Sequence, residues 1–332
     1  MKKWKKIKLL MHSESGSVIA MTAVFISVFM AVTALAVDIG HLIVVKSELQ
    51  RLADAASLAG VRGLLPNDLA NTNPNSNYIN TSQGLQRAQD MLTKNAVAGR
   101  YLETGEVLIT LGIYDWNNKT FTPSVSQDTN AVLVEINNYN VNHFLGGFTG
   151  LGQSAASVKS LAAIGYAKGL PPGTMPIAIG RDFLSQLNGS NPIQFAPGNQ
   201  NNAGWFAIGK VSNAVLVNYV VNDSCPEINL NDKVELLNGK ASAADELAVK
   251  FEANKSADGY WDISLPIVDT NEFNQDSPIT GFVKFRITSI DTQKKEVWGR
   301  VLGLGMANVG AKPGGPKGML LTTPKLVPYT YN

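Results

Sequence analysis

The residues of this chain that could do acid-base chemistry are few. Of its three histidines, His12 lies in a lysine-rich N-terminal stretch, His41 follows a long apolar run, and His143 falls in the remainder. A Ser-His-Asp hydrolase would depend on His143 and on a G-x-S-x-G elbow, but the nearest string, Gly152 to Ala156, ends in alanine. We therefore predict a structural His143, no catalytic residue and no enzyme.

Sequence patterns for metals and cofactors are also missing. Cys225 is the single cysteine, which excludes an intrachain disulfide and a multi-cysteine zinc site. Gly303 and Gly305 are followed by Asn308 where a dinucleotide-binding turn has its third glycine. We predict no cofactor, no metal and a buried thiol at Cys225, with pairing to another chain as the alternative. A carboxylate pair assembled in space stays open, because acidic residues are numerous.

The first element of the chain is a long apolar run. Residues Val18 to Val37 contain no charge, Pro or Gly, and twenty helical residues at about 1.5 Å each reach roughly 30 Å, the thickness of a bilayer's hydrocarbon core. Five lysines precede the run and Asp38 follows it. The positive-inside rule then predicts a single-pass anchor with its N-terminus in the cytoplasm and its C-terminal region exported.

A cleaved signal peptide is the alternative interpretation of this run. Ala34-Leu35-Ala36 has the small-x-small form that a signal peptidase accepts. Against cleavage, the run is longer than a signal h-region, and the helical pattern continues through Leu42, Val45 and Leu49. We predict an intact anchor, with cleavage after Ala36 left open.

The helix is expected to continue out of the membrane to the stop signals Gly60, Gly63 and Pro66. Along it, small residues permit close approach of another helix, either from a partner protein or from this chain's own domain. Asp38 is expected at the outer end of the span, where a partner protein or the lipid headgroups can contact it. The candidate partner-contact residues are Asp38, Ala53, Ala56 and Ala59.

The remainder has a mixed pattern. A helix is predicted over residues 84–99, and short β-rich runs follow, including one over 214–221 in the second half. The fold class is therefore α+β: a long N-terminal transmembrane helix that continues outside the membrane, a small α+β region and a β-rich domain. The predicted segments are a basic cytoplasmic tip (1–16), the transmembrane helix and its extension (17–65), an Asn-rich linker (66–83), the α+β domain (84–170) and the β-rich domain (171–332).

Three N-terminal strings together resemble the start of TadG-like proteins of the tight-adherence (Tad/Flp) pilus assembly systems of bacteria. A looser similarity runs on through Gly112 to Asp115 and Gly281 to Ile287. Some relatives carry a von Willebrand factor A domain, and the absence of a D-x-S-x-S string here implies a short form without its metal site. The strings are Gly16-Ser17-Val18, Ala36-Val37-Asp38-Ile39-Gly40-His41-Leu42 and Leu49-Gln50-Arg51-Leu52-Ala53-Asp54-Ala55-Ala56-Ser57-Leu58-Ala59-Gly60.

The resemblance implies a membrane-anchored accessory component of Flp pilus assembly that scaffolds other envelope proteins at a bacterial inner membrane, with its folded part in the periplasm. The expected partners are the inner-membrane platform, pseudopilins and the lipid bilayer. Nucleic acid is not expected, because past residue 16 acidic residues slightly outnumber basic ones. Pseudopilins carry Glu where this chain has Met21, which favours an intact anchor. The alternative function is an anchored surface-binding protein or adhesin unrelated to pilus assembly.

Overall fold

The structure is a computed structural model that describes residues 14–73, 76–146, 152–195, 202–239, 242–270, 272–307 and 310–331. The predicted basic tip lies outside these residues except for its last three. Within them, a single long helix precedes three short helices and many strands, so the predicted α+β class is confirmed.

The helices and strands have the following bounds. The helices are α1 (Glu14–Gly63), α2 (Thr81–Thr93), α3 (Asn213–Asn222) and α4 (Ala243–Asn254). The strands are β1 (Val107–Asp115), β2 (Thr120–Pro123), β3 (Ala131–Asn142), β4 (Gln153–Ala163), β5 (Tyr166–Leu170), β6 (Ile177–Gly180), β7 (Ile193–Gln194), β8 (Ala203–Ala207), β9 (Ile228–Asn229), β10 (Lys233–Leu237), β11 (Trp261–Val268), β12 (Asp276–Asp291), β13 (Glu296–Val301), β14 (Gly305–Met306), β15 (Lys312–Gly315), β16 (Leu320–Leu321), β17 (Lys325–Leu326) and β18 (Thr330–Tyr331).

Helix α1 runs for 50 residues without interruption, as its Pro-free sequence and continuous helical pattern predict. At about 1.5 Å per residue it is roughly 75 Å long. Its N-terminal part is long and apolar enough to cross a membrane. The expected extension of the apolar helix is therefore present, and it ends at Gly63, one of the predicted stop signals.

One face of α1 is buried from Ala34 onward. Ala34, Asp38, Val45, Leu49 and Leu52 are each less than a tenth exposed and follow one another at three-, four- and seven-residue spacing. That spacing is one side of an α-helix. By contrast, the large apolar side chains from residue 18 to residue 32 are all more than half exposed. Burial on one side therefore starts near the end of the apolar run.

The first of two compact units consists of Met1–Ala55, Asp90–Leu108 and Val134–Ser160. It contains most of α1, the segment after α2, and the ends of β3 and β4 that lie toward the turn between them. These two strands are neighbours in a six-stranded sheet of order β17-β4-β3-β1-β2-β18. The alternating burial along the outer parts of both strands is typical of a sheet with one face covered.

The second unit consists of Ala56–Gln89, Ile109–Leu133 and Leu161–Asn332. Its main sheet has seven strands in the order β10-β8-β6-β11-β12-β13-β7, and a smaller sheet has the order β14-β16-β5-β15, with β9 on β5. The core between the large sheet and helices α3 and α4 includes Trp205 stacked on Phe195, with ring centroids 4.4 Å apart.

Three sequence predictions in these units are corrected. The run over 214–221 was predicted as a strand but forms α3, because the hydroxyl of Ser212 caps it by accepting from the Val215 amide at 3.3 Å. Gly60 was predicted as a stop but lies inside α1, where a Cβ would come within 3.0 Å of Val132. Gly60 therefore serves close packing. Helix α2 starts earlier than the predicted residue 84, since the Asn80 side chain accepts from the Gln83 amide at 2.9 Å, and it ends at Thr93 instead of at residue 99.

Candidate functional site

Asp38 is the first charged residue after the apolar run, and its side chain is buried. One carboxylate oxygen, Oδ1, accepts hydrogen bonds from the backbone amides of Phe144 at 2.7 Å and Leu145 at 3.0 Å. Both amides lie just after β3, in the turn that leads to β4. The carboxylate therefore ties α1 to the tip of the β3–β4 hairpin.

His143 continues this cluster on the other side of the carboxylate. Its Nδ1 lies 3.5 Å from Asp38 Oδ2, and its Nε2 lies 2.7 Å from the Ser154 hydroxyl on β4. The His143 amide also donates to the Gly152 carbonyl at 3.1 Å. The three side chains thus form a Ser-His-Asp series, which the sequence did not indicate because no G-x-S-x-G elbow accompanies it.

The geometry of this series favours positioning over catalysis. A hydrolase triad holds its histidine by a short Asp-His hydrogen bond, whereas here the two atoms are 3.5 Å apart, longer than an ordinary hydrogen bond. Ser154 lies within a strand, not on the sharp turn that presents a nucleophile. The amides of Phe144 and Leu145 are already used by Asp38. The cluster therefore acts as a polar lock between helix and hairpin.

The aromatic ring of Phe144 contacts His41 of α1 next to the lock. It lies 4.4 Å from the His41 ring, centroid to centroid, at an interplanar angle of 52°. Phe144 nevertheless remains 69% exposed, and on the helix nearby Ile39 and Ile43 are 47% and 64% exposed. Exposed apolar side chains therefore lie near a buried carboxylate.

A second set of contacts joins α1 to its own unit farther along the helix. Gln50 Nε2 donates to the Lys159 carbonyl at 3.1 Å, and the Lys159 ammonium pairs with the buried Glu135 at 2.5 Å. Glu48 accepts from the Ala98 amide at 3.1 Å. The helix is thus held at two levels that are about 18 Å apart, because 12 residues separate Asp38 from Gln50.

The four predicted contact residues have different environments. Asp38 is buried in the lock, and Ala53 and Ala56 are fully buried inside the folded chain. Ala59 is only partly buried. Of these four positions, Ala59 is therefore the one that a partner can reach without opening the fold.

A cleft of about 520 Å³ lies beside α1 in the first unit. Its walls include Glu48 and Arg51 from the helix and residues 95–99 from the segment after α2. With one titratable group of each sign, the cleft offers no pair of carboxylates for acid-base work. Among the residues that the structure describes, no group of three His, Cys, Asp or Glu side chains is placed to hold a metal ion.

A partly buried ion pair fixes the segment between α2 and β1. The Arg100 guanidinium bonds both carboxylate oxygens of Glu106, at 2.7 and 2.9 Å, and lies 4.0 Å from the Tyr139 ring centroid. These hydrogen bonds lower the pKa of Glu106 and raise that of Arg100. The Tyr139 hydroxyl donates to the Val97 carbonyl at 2.6 Å, which ties the segment to β3.

Comparison with known families gives two matches. Residues 16–63 match the family model of Flp pilus-assembly TadE/G-like proteins, and residues 68–162 match that of Tad-like Flp pilus-assembly proteins. No curated protein and no solved structure matches the chain significantly. The two family matches cover α1, the lock and the β3–β4 hairpin, and they confirm the resemblance that the N-terminal strings indicated.

Proposed function

We propose that this chain, whose residues 16–63 and 68–162 match Flp pilus-assembly family models, is a membrane-anchored structural component of Flp pilus assembly that scaffolds other envelope proteins. The observation that carries the proposal is the position of the two family matches. One match covers the apolar helix, and the other covers the hairpin that is bound to this helix through Asp38. The proposed activity is positional and not enzymatic.

The proposed anchor is supported by side-chain hydrogen bonds within the apolar run. Two of the three hydroxyl side chains in this run, Ser27 and Thr33, donate to the carbonyls of Ala23 and Phe29 one turn earlier, at 2.8 and 2.9 Å. In lipid, such internal bonds remove the cost of an unpaired polar group. We propose that the chain crosses a bacterial inner membrane once, with the N-terminus in the cytoplasm and the folded part in the periplasm.

The scaffold role follows from how the hairpin is held. Asp38 and Gln50 fix the first unit to the helix at two levels, so this part of the chain is kept close to the membrane face. We propose that platform proteins or pseudopilins bind the alanine-rich part of α1 that follows Gln50. Ala59, partly exposed on the same helix, is the proposed contact residue.

The test is a pull-down of full-length, C-terminally tagged protein from detergent-solubilised membranes, followed by mass spectrometry. Recovery of platform proteins or pseudopilins supports scaffolding and names the partner. Normal pilus numbers in a deletion strain, together with lost surface attachment, would favour the alternative of an anchored surface-binding protein or adhesin. Intact mass of the native chain near 35.6 kDa supports the uncleaved anchor.

The contact residue has a separate test with a matched control. A photo-crosslinking amino acid replaces Ala59 in one strain and Val249, which is 68% exposed on α4, in another. The proposal predicts crosslinks to an assembly protein from position 59 and not from 249. Equal crosslinking from both positions would argue against a contact at Ala59.

A further inference from the structure

We propose that the tip of the β3–β4 hairpin, residues Phe144 and Leu145, is a second membrane contact that lies in the headgroup layer of the bilayer beside α1. The inference rests on the proposed anchor and goes beyond it, because it assigns a lipid-binding role to a folded part of the chain 106 residues after Asp38. The occupant of the surface is a phospholipid bilayer.

The first argument is depth. If Val18 to Val37 fill the hydrocarbon core, Asp38 lies at its boundary. A bilayer of about 40–45 Å with a core of about 30 Å has a headgroup layer of roughly 5–8 Å on each side, which is about three to five helical residues. The Phe144 amide bonds Asp38, and its ring lies on His41. Phe144 is therefore at headgroup depth.

The second argument is exposure. Phe144 is 69% exposed, and on α1 the apolar side chains of Ile39, Ile43 and Val44 are about half exposed or more. This apolar surface is continuous along the helix with the exposed side chains of the proposed span, such as Val37. It ends where Val45 is buried and Lys46 is exposed. An apolar surface that continues a membrane span and stops about 9 Å past Asp38, near the outer limit of the headgroup layer, fits lipid.

The third argument is how far the buried face of α1 extends into the proposed span. Ala34 is 2% exposed, although Leu35 and Val37 in the same turn are 47% and 45% exposed. Ala34 lies one turn before Asp38 and on the same face of the helix, within the apolar run. The buried face of α1 therefore reaches the outer turn of the proposed span.

The fourth argument is polar satisfaction. A loop at membrane depth is unfavourable when its amides are unpaired, but the amides of Phe144 and Leu145 both donate to Asp38. The same bonds, with His143 at 3.5 Å, shield the carboxylate from the apolar surroundings. The lock thus makes both the acid and the turn compatible with the headgroup layer, which explains why Asp38 is buried at this position.

The experiment places a spin label at one site at a time in the full chain. Cys225 is first replaced, and single cysteines are introduced by Ile26→Cys in the span, Phe144→Cys at the tip and Ala96→Cys. Ala96 is an exposed control. It lies near Ala98, whose amide bonds Glu48, and Glu48 is about 15 Å farther along the helix than Asp38. The protein is reconstituted in vesicles of phosphatidylcholine and phosphatidylglycerol. Collision rates with oxygen, which partitions into lipid, and with a water-soluble nickel complex are then measured.

The expected result is several-fold less nickel collision at position 144 than at position 96, with position 26 protected most. Nickel access at 144 equal to that at 96, while 26 stays protected, would overturn the proposal and leave the anchor standing. Access at both 26 and 144 would overturn the anchor and the tip contact together. As a second readout, Phe144→Trp adds a tryptophan at the tip. Lipids brominated near the headgroup should quench the fluorescence of this tryptophan. Absence of quenching would contradict the proposal independently of the label.

Discussion

The backbone amide of Phe144 donates a 2.7 Å hydrogen bond to the carboxylate of Asp38, which lies 106 residues earlier in the chain. A charged acceptor that receives two backbone amides makes bonds stronger than those between neutral groups. This bond joins the two regions that the family matches identify separately, residues 16–63 and 68–162.

Asp38→Asn should loosen the hairpin tip. The variant replaces the charged acceptor by a neutral amide, and a lost charge-assisted bond at a buried site costs about 1–3 kcal/mol. We expect faster hydrogen exchange of the Phe144 and Leu145 amides in the full-length protein in detergent micelles. Asp90→Asn is the control, because Asp90 forms an exposed pair with Lys94 at 3.1 Å. Equal exchange in both variants would exclude the lock.

The Ser-His-Asp series should be inert as a nucleophile. A fluorophosphonate probe labels an activated serine, and the 3.5 Å Asp-His separation leaves His143 poorly held for general-base work. We expect no labelling of the purified protein, and Ser154→Ala should keep Flp pilus assembly unchanged in cells. Stoichiometric labelling that Ser154→Ala and His143→Gln both abolish would instead indicate a hydrolase.

The Arg100–Glu106 pair should make stability depend on pH. Because Arg100 lowers the pKa of Glu106 in the folded state, the stabilisation is full above the ordinary carboxyl pKa of 4.5 and is lost as pH falls through the lowered value. Glu106→Gln should therefore lower the Tm at pH 7, with a difference from the wild type that shrinks as pH drops below 4.5. Glu103→Gln, at a side chain 77% exposed, should change little at any pH. A Tm difference independent of pH would contradict this assignment.

Gly63 should not tolerate a side chain. A Cβ at this position would lie 2.7 Å from the Gln83 carbonyl oxygen and 3.0 Å from the Gly84 Cα, so backbone must move. We expect Gly63→Ala to destabilise the protein by about 1–3 kcal/mol. Gly40→Ala on the same helix meets nothing within 4 Å and should be neutral or slightly stabilising. Thermal unfolding of both variants in the same detergent gives the comparison.

Cys225 should be unreactive in the folded protein. The thiol is fully buried, and burial raises its pKa to about 12, so the thiolate that reacts with maleimides is scarce near neutral pH. We expect labelling only after unfolding, whereas the Ala96→Cys thiol of the wild-type background reacts at once. A disulfide-linked dimer on a non-reducing gel would restore the alternative of pairing with another chain.

The sequence predicted the elements with strong periodicity or clear composition. The 50-residue helix follows from an apolar run that passes into three- and four-residue spacing without Pro, and the strands of the hairpin follow from β-rich runs. The residues of α3 were wrongly predicted as a strand because a Val-rich run is compatible with a strand or a helix. The helix is favoured by a cap at Ser212, which is a single hydroxyl. Helix α4 was not predicted.

The lock at Asp38 could not be predicted. Its members lie on α1, in the turn after β3 and on β4, and no motif links positions so far apart in the chain. A charged residue beside an apolar run was visible, and the natural interpretation was exposure to headgroups. The buried state depends on the register with which the hairpin lies along the helix, which is set by packing of the stripe from Ala34 to Leu52.

The unbroken course of α1 has a mechanical consequence. The helix has no proline between its apolar part and the two levels at which Asp38 and Gln50 hold the hairpin, so in the proposed membrane-anchored state the first unit would have no flexible joint where the helix leaves the bilayer. A sideways force on the hairpin must then tilt the helix in the lipid, and a rotation of the helix must sweep the hairpin around it. Tilting and rotation of the helix in the bilayer would therefore be transmitted directly to the outer part of this unit.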